Sequence, residues 1–393
     1  GGRGAEPCAQ RGASQAAAKF QAASLEQIIG GMAADQATVE TQEAASRALC
    51  ECLQRSPAQQ GEVARLGGLG AVLAAMCAHP AELGVQLMGA CALERMCAGH
   101  KENVMRLVEE GGMRAIIAAM GGFPALQPLQ ETGCKVLRNA AACSTDCQAA
   151  VAADGGVAAA LRAMMAHPAA AAVQELGCRA LRELAAYSVD NQAEVATRGG
   201  VQIVLRAMEK HRALPTVQVM ALGVLRNLTA TCAERQELVL SRGGAEAVID
   251  AVTEHRESAD VQQAGCWALF CLCARNPEAR RVLHAHGAAA AALKGMERHR
   301  QEAHVQEAGC WVLKELSREI VTSNTGQAMA STQAILKAMD KHPDMAAVQT
   351  AAGGALKSLA AQDRSGWVQT ACLGRCGRLS RPAARRALSV IRE

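Results

Sequence analysis

The heptapeptide VQEAGCW at residues 305–311 recurs as VQQAGCW at 261–267 and, more loosely, as VQELGCR at 173–179. Taking the residue before each glutamine as an anchor gives the series Thr41, Val85, Leu129, Val173, Val217, Val261, Val305 and Val348. Six consecutive spacings are 44 residues and the last is 43. A period of this size is the mark of stacked helical units. Each unit buries its apolar face only against near-copies of itself, so repeated contacts call for repeated residues.

Each phase of the period carries its own chemistry. Four positions after the anchor stand Ala45, Gly89, Gly133, Gly177, Ala221, Gly265, Gly309 and Ala352. Glycine inside a helix costs about 1 kcal/mol relative to alanine, so the column predicts that another backbone presses against that spot. Eight positions after the anchor every unit has leucine: Leu49, Leu93, Leu137, Leu181, Leu225, Leu269, Leu313 and Leu356. Together these positions form one apolar helical stripe, the inward face of a long helix. Upstream lies a glycine pair, Gly67-Gly68, Gly111-Gly112, Gly155-Gly156, Gly199-Gly200 and Gly243-Gly244, which decays to Gly287-Ala288. A short helix precedes it, with Val63, Leu107, Val151, Val195 and Val239 in phase, and a second helix follows. The first glycine is read as a left-handed helix end and the second as a tight corner. Glycine turns before helices can also cradle phosphate, but five copies in phase point to structure.

Composition agrees with an all-helical chain. Of 393 residues 50% are hydrophobic, yet only 2% are aromatic. The apolar content is Ala, Leu, Val, Met and Cys, mostly good helix formers. A net charge of +4 is too small to argue for nucleic acid. The 17 cysteines are an odd number scattered through a long chain, which suits a reducing, intracellular setting: cytoplasmic, with nuclear or cytoskeleton-associated locations open. Asn227-Leu-Thr229 matches a glycosylation acceptor, but the thiols outweigh so common a pattern. No apolar run reaches the roughly 18 residues of a membrane helix, so no membrane insertion is expected. The chain begins at Gly1 without Met, so an upstream targeting segment can be missing.

Helix one, a glycine turn, helix two, a short loop and a long helix three resemble the armadillo repeat pattern, on the strength of the Gly pair, the leucines and the ALxxL-type third helix. The resemblance covers residues 13–362. It implies an all-α, right-handed α-solenoid of about eight armadillo-type repeats with a 44-residue period. HEAT repeats share the period range but normally have two helices. Residues 1–12 read as a disordered N-terminal segment and 363–393 as C-terminal capping helices, with Arg375, Arg378, Arg381, Arg385 and Arg386 and a last helix starting at Pro382. The extra length over the common armadillo repeat falls in the loop before helix three, HPAAAA at 167–172.

Several columns are candidate sites. The recurring Gln42, Gln86, Gln130, Gln174, Gln218, Gln262, Gln306 and Gln349 suggest buried amides partnered with the next repeat, a ladder fixing the stacking angle. His79, His167, His211, His255, His299 and His342 end helix two, where an imidazole can cap carbonyls. Cys134, Cys178, Cys266 and Cys310 read as small hydrophobes. Cys50/Cys52, Cys143/Cys147, Cys271/Cys273 and Cys372/Cys376 are off phase, with His284 and His286 near the third pair, but no CxxC or zinc-finger spacing occurs. No metal, cofactor or catalytic constellation is therefore expected, and the chain reads as a non-enzyme.

Armadillo proteins usually bind partners along the outward stripe of helix three. Here that stripe holds Arg47, Arg95, Lys135, Arg138, Asn139, Arg179, Arg182, Glu183, Arg226, Asn227, Trp267, Trp311, Lys314 and Glu315. The resemblance implies a protein-interaction scaffold or adaptor that holds an extended or helical partner segment. In this reading the asparagines bind partner main chain, the basic column attracts acidic side chains and the tryptophans anchor apolar ones. Glu51, Glu183 and Glu315 interrupt the basic stripe, which argues against nucleic acid. A transport or targeting adaptor, of nuclear-import, ciliary or vesicle type, is the alternative. Nuclear-import adaptors of this class, however, pair Trp with Asn in successive repeats. Asn139 and Asn227 lack the Trp, and Trp267 and Trp311 lack the Asn, so that likeness stops at the fold.

Overall fold

The computed structural model describes residues 23–34 and 38–363, with Ala18, Phe20, Gly366, Val368 and Thr370 besides. The disordered segment expected at 1–12 and the basic tail helices lie outside the described residues. Among these there are 23 α-helices and no strand. The chain divides into two compact units, Gly1–Arg198 and Gly199–Glu393. The division falls at a glycine pair, inside the repeat anchored on Val217.

The first unit contains α1 (Leu25–Ala34), α2 (Val39–Arg55), α3 (Gln60–Arg65), α4 (Gly68–Ala78), α5 (Leu83–Cys97), α6 (Lys101–Glu109), α7 (Gly112–Gly122), α8 (Gln127–Ala141), α9 (Thr145–Ala153), α10 (Gly156–Ala166), α11 (Ala171–Ala185) and α12 (Val189–Thr197). The second contains α13 (Gly200–Lys210), α14 (Pro215–Thr229), α15 (Ala233–Ser241), α16 (Gly244–Glu254), α17 (Ala259–Cys273), α18 (Pro277–Ala285), α19 (Ala288–Arg298), α20 (Ala303–Glu315), α21 (Ser317–Ser323), α22 (Thr325–Lys341) and α23 (Ala346–Gln362). Within each unit the long third helices pack side by side, α2–α5–α8–α11 in the first and α14–α17–α20–α23 in the second. Each unit is thus an α-solenoid segment whose core is the leucine column: all eight leucines have no exposed surface.

The repeat begins with a polar cap. Ser144 Oγ accepts from Cys147 N at 3.1 Å, Ser188 Oγ from Asn191 N at 3.3 Å and Asn276 Oδ1 from Ala279 N at 3.1 Å, each closing the start of a first helix. That helix ends on a glycine in the left-handed region, φ +91° at Gly155, a conformation that penalises any Cβ. Helices one and two then meet at a sharp bend, 65° between α9 and α10 and 77° between residues 57–65 and α4. The second glycine has a different duty from the corner assigned to it. A Cβ on Gly156 would lie 2.5 Å from Val151 Cγ1 and 2.8 Å from Val151 O, so it is small because the first helix's aliphatic residue is seated against it.

The small residue at the +4 phase is likewise explained by a side chain. A Cβ on Gly177 would lie 2.5 Å from Met164 Cγ and 2.8 Å from its Sδ, and one on Gly89 would lie 2.7 Å from Met76 Cγ. The predicted backbone contact is therefore replaced by a methionine of helix two pushed into the third helix of its own repeat. Met32, Met76, Met120, Met164, Met208, Met296 and Met339 are buried in this role, with Val252 in the sixth place of the series.

The glutamine ladder is also corrected. Gln174 Nε2 donates to Met164 O at 2.8 Å and His167 O at 2.9 Å, both at the C-terminus of helix two in the same repeat. Gln86, Gln130, Gln218, Gln262, Gln306 and Gln349 do the same. These amides satisfy the free carbonyls of a helix end and do not link repeats. Four of the histidines link them instead, while His79 Nε2 is buried without a hydrogen-bond partner. His167 Nε2 meets Pro124 O at 2.7 Å, His255 meets Arg212 O at 2.7 Å, His299 meets Arg256 O at 2.7 Å and His342 meets Arg300 O at 2.9 Å. Each rung joins a helix-two end to the backbone just past the previous one, which requires the Nε2–H tautomer.

The eighth repeat, anchored on Val348, breaks the pattern. It has no glycine pair, and α22 runs unbroken for 17 residues from the Asn324 cap, whose Oδ1 accepts from Gly326 N at 2.8 Å and Gln327 N at 3.3 Å. Among the described residues no single helix is long and apolar enough to cross a membrane.

Candidate functional site

The outward residues of the third helices follow a simple lateral rule. A residue and the one 41 positions later, a repeat less about one helical turn, meet across neighbouring third helices. Cys91 Sγ lies 3.7 Å from Thr132 Oγ1 by this rule, and the Phe270 and Trp311 rings, centroids 5.6 Å apart, obey it too. In the last repeat the step shrinks by one, and Lys314 covers Gly354.

In the first unit the stripe is more neutral than its sequence suggests. Arg47 Nη2 is 2.6 Å from Glu43 Oε1, Arg179 Nη2 is 3.1 Å from Glu175 Oε1 and Arg182 Nη2 is 2.5 Å from Glu183 Oε1. The glutamates at Glu43 and Glu175 sit one turn before the arginines they neutralise, the usual i,i+4 geometry. Arg95 turns its Nε to Cys50 Sγ at 3.2 Å. Lys135 and Asn139 are half-buried, and Arg138 carries a buried Nε with no hydrogen-bond partner. The expected basic column is therefore a row of local ion pairs with Lys135 and Arg138 between them.

The second unit gathers aromatic residues. Trp267 and Phe270 stack edge to face with centroids 5.7 Å apart and planes at 84°, and Phe270 continues to Trp311 at 55°. Lys314 Nζ stands 4.3 Å over the Trp311 ring. Glu315 Oε2 is 3.7 Å from Arg280 Nη1, and Arg280 Nε reaches Glu319 Oε1 at 3.9 Å. All three rings are half-buried, while Arg226 is exposed and Asn227 half-buried on the neighbouring α14. The structure thus brings Trp267, Trp311, Lys314 and Glu315 into one patch and adds Phe270, which the sequence reading passed over. Its signal was present: Phe270 plus 41 is Trp311.

A second missed group caps the third helices beside this face. Gln148 Nε2 donates to Glu183 O at 2.7 Å and Ala186 O at 2.8 Å, and Gln236 Nε2 to Cys271 O at 2.8 Å and Ala274 O at 3.1 Å. Gln60 makes the same bonds to Arg95 O and Ala98 O, at 2.6 and 2.9 Å. They tie the end of each third helix to the first helix of its own repeat.

The in-phase cysteines are buried thiols. Burial pushes Cys134, Cys178 and Cys266 up to about 12, and Cys310 also upward. Cys271 is pushed up to about 11 by burial, with Arg226 opposing. His284 Nε2 pairs with Ser323 Oγ at 2.8 Å, away from any ligand role with Cys271 and Cys273. Among the described residues no group of three His, Cys, Asp or Glu side chains is placed to hold a metal. Surface clefts of about 520 and 540 Å³ open between successive second helices, α19–α22 and α16–α19. None of the stripe residues lines them.

The geometry agrees with known architectures. The chain superposes on a structure from work on a phosphorylation switch controlling the interaction between cadherin and beta-catenin, with TM-score 0.74 and 20% identity, covering 90% of this chain and 67% of that one. An engineered protein solved by a structural genomics consortium matches with TM-score 0.69 and 18% identity over 94% of this chain and 99% of that one. At such identities the likeness speaks for the fold. No curated protein sequence matches. A family model described as the LRRK2 ARM repeat matches residues 69–281 and 245–372, well over half of the sequence, and the chain accordingly belongs to the LRRK2 ARM-repeat family, an armadillo-type solenoid.

Proposed function

We propose that the protein is a non-enzymatic interaction scaffold that holds a segment of a partner protein against its third helices. The patch of Trp267, Phe270 and Trp311 is the apolar anchor, and Lys314 beside it favours an acidic neighbour in the partner. The observation that carries this is the convergence of three rings. The chain has three Trp, one Tyr and three Phe in all, and three of these seven meet on one outward face of the second unit. Large rings left half-open at adjacent positions are what interaction hot spots are made of. The first unit's stripe, with Lys135, Asn139, Arg179 and Arg182, supplies polar contacts. The pairing of its arginines with Glu175 and Glu183 makes it a weaker attractor of acidic side chains than its charge count suggests.

The structure named above comes from work on the interaction between cadherin and beta-catenin, which supports a protein segment as the class of partner here. No observation favours a transport adaptor over this reading. The test is a photo-crosslinking residue placed at position 311, with an equivalent at the exposed Met165 as control. A partner captured from position 311 alone is then titrated against the Trp267→Ala, Trp311→Ala double variant. Removing two anchors weakens binding at least tenfold. Equal affinity for the variant and the parent protein overturns the aromatic patch as the site.

A further inference from the structure

The lateral rule brings two thiols together in the first unit. Cys50 on α2 and Cys91 on α5 are 41 positions apart on neighbouring third helices, both half-buried and neither in a disulfide. Arg95, one turn after Cys91 on α5, reaches across to Cys50, and each thiol is the first influence on the other's titration. Arg95 Nε donates to Cys50 Sγ at 3.2 Å, and Thr132 Oγ1 stands 3.7 Å from Cys91 Sγ. The pair lies across two neighbouring third helices with a guanidinium of the second helix on the sulfur of the first. Cys143 and Cys147 are also neighbours, but lie one turn apart at the start of a single helix, and burial holds the Cys143 thiol up.

We propose that Cys50 and Cys91 are a peroxide-oxidisable dithiol that closes to a disulfide between the third helices of the first two repeats. Cys91 is the attacking sulfur. The neighbouring Cys50 thiol, with help from Thr132 and Arg95 and against burial and Glu94, holds it down at about 6. Cys50 keeps its proton and is raised, by Cys91 and by burial. In the first step the Cys91 thiolate attacks one oxygen of hydrogen peroxide. The S–O bond forms, the O–O bond breaks, and hydroxide leaves to be protonated to water, giving a sulfenic acid. In the second step the Cys50 sulfur attacks the Cys91 sulfur. The S–S bond forms, the S–O bond breaks, and the Cys50 proton leaves with the hydroxyl as a second water. Two thiols are oxidised and one peroxide is reduced. Closing the bond removes the acceptor of Arg95 and ties α2 to α5 covalently. This inference stands apart from the partner-binding reading.

The experiment uses the full chain. Trypsin would release Cys50 with Cys52 in residues 48–55 and Cys91 with Cys77 in residues 66–95, so a Cys52→Ser, Cys77→Ser background leaves one thiol in each peptide. After hydrogen peroxide, non-reducing peptide mapping yields a 48–55/66–95 cross-link that dithiothreitol reverses. A Cys50→Ser change stops the reaction at a Cys91 sulfenic acid, trapped by dimedone. In the parent protein, tandem mass spectra of the cross-linked peptide locate the bond without any substitution. Iodoacetamide labels Cys91 with a pH midpoint of about 6. At pH 6 its rate is about ten times that of an ordinary thiol, the larger thiolate fraction outweighing the lower nucleophilicity. A labelling midpoint near the ordinary value of about 8.5, or cross-links that join other cysteines in place of this pair, overturns the proposal.

Discussion

At the scale of the residue, the deciding contact is methionine against glycine. Gly177 is small because Met164 already fills the space where its Cβ would be. The sister positions Ala45, Ala221 and Ala352 show that one carbon is absorbed by a flexible thioether. Gly177→Ala is therefore expected to leave stability within about 1 kcal/mol of the parent, its gain in helix propensity offsetting the shift of Met164. Gly177→Val adds a branched side chain with nowhere to go and costs about 2–3 kcal/mol. Urea denaturation of the two variants checks the contrast, and equal stabilities would contradict the socket. That a small residue was required at this phase was legible in the sequence. What pressed on it was not, because Met164 lies thirteen residues away on another helix and only the fold aligns the two columns.

At the scale of the element, the glutamines and histidines exchange the roles that sequence suggested. Both columns sit near the end of helix two, and a glutamine amide reaches back to its own repeat's carbonyls while the imidazole reaches the previous repeat. Side-chain direction decides this, and the period alone does not carry it. The repeat anchored on Leu129 already has Phe123 where six others have histidine, so the rung is dispensable one at a time. His299→Phe is expected to cost about 0.5–1.5 kcal/mol, the net value of one hydrogen bond, while Gln306→Leu costs more because it removes two hydrogen bonds at once and orphans the buried Met296 O, His299 O keeping only the Glu302 N–H. Thermal melts of both variants rank them, and a larger loss for His299→Phe would reverse the assignment. The third helices themselves, their leucine faces and the glycine turns were readable from period and propensity. The ion pairs of Arg47, Arg179 and Arg182 were readable in principle too, since Glu43 and Glu175 stand four residues before two of them. The aromatic patch was only half visible, because Phe270 joins it through a neighbour-to-neighbour step that the period does not display.

At the scale of the whole molecule, the buried thiols set an alkaline limit. Cys134, Cys178 and Cys266 hold their protons up to about 12 when folded, against an ordinary 9.0. Between these values the unfolded chain has released protons that the folded chain keeps. Stability is thus intact below pH 9 and falls as pH rises above it, by up to about 1.4 kcal/mol per pH unit for each such thiol. Cys178→Ala removes one of them: its fall in urea midpoint between pH 9 and 10.5 is expected to be shallower than the parent's. Parallel slopes would show that these thiols do not govern the decline.

The socket and its plug have one more consequence, for how such a chain grows. Met164 and Gly177 belong to the same 44-residue segment, as do Gln174 and the carbonyls it caps. A tandem copying event that inserts one segment carries each matched set along intact. Among the residues forced to meet strangers are the histidine rungs and the side chains separated by 41 positions on adjoining long helices. New copies would inherit a sound interior at once and diverge first along the outward rows, where the rings and the reactive sulfur pair now stand.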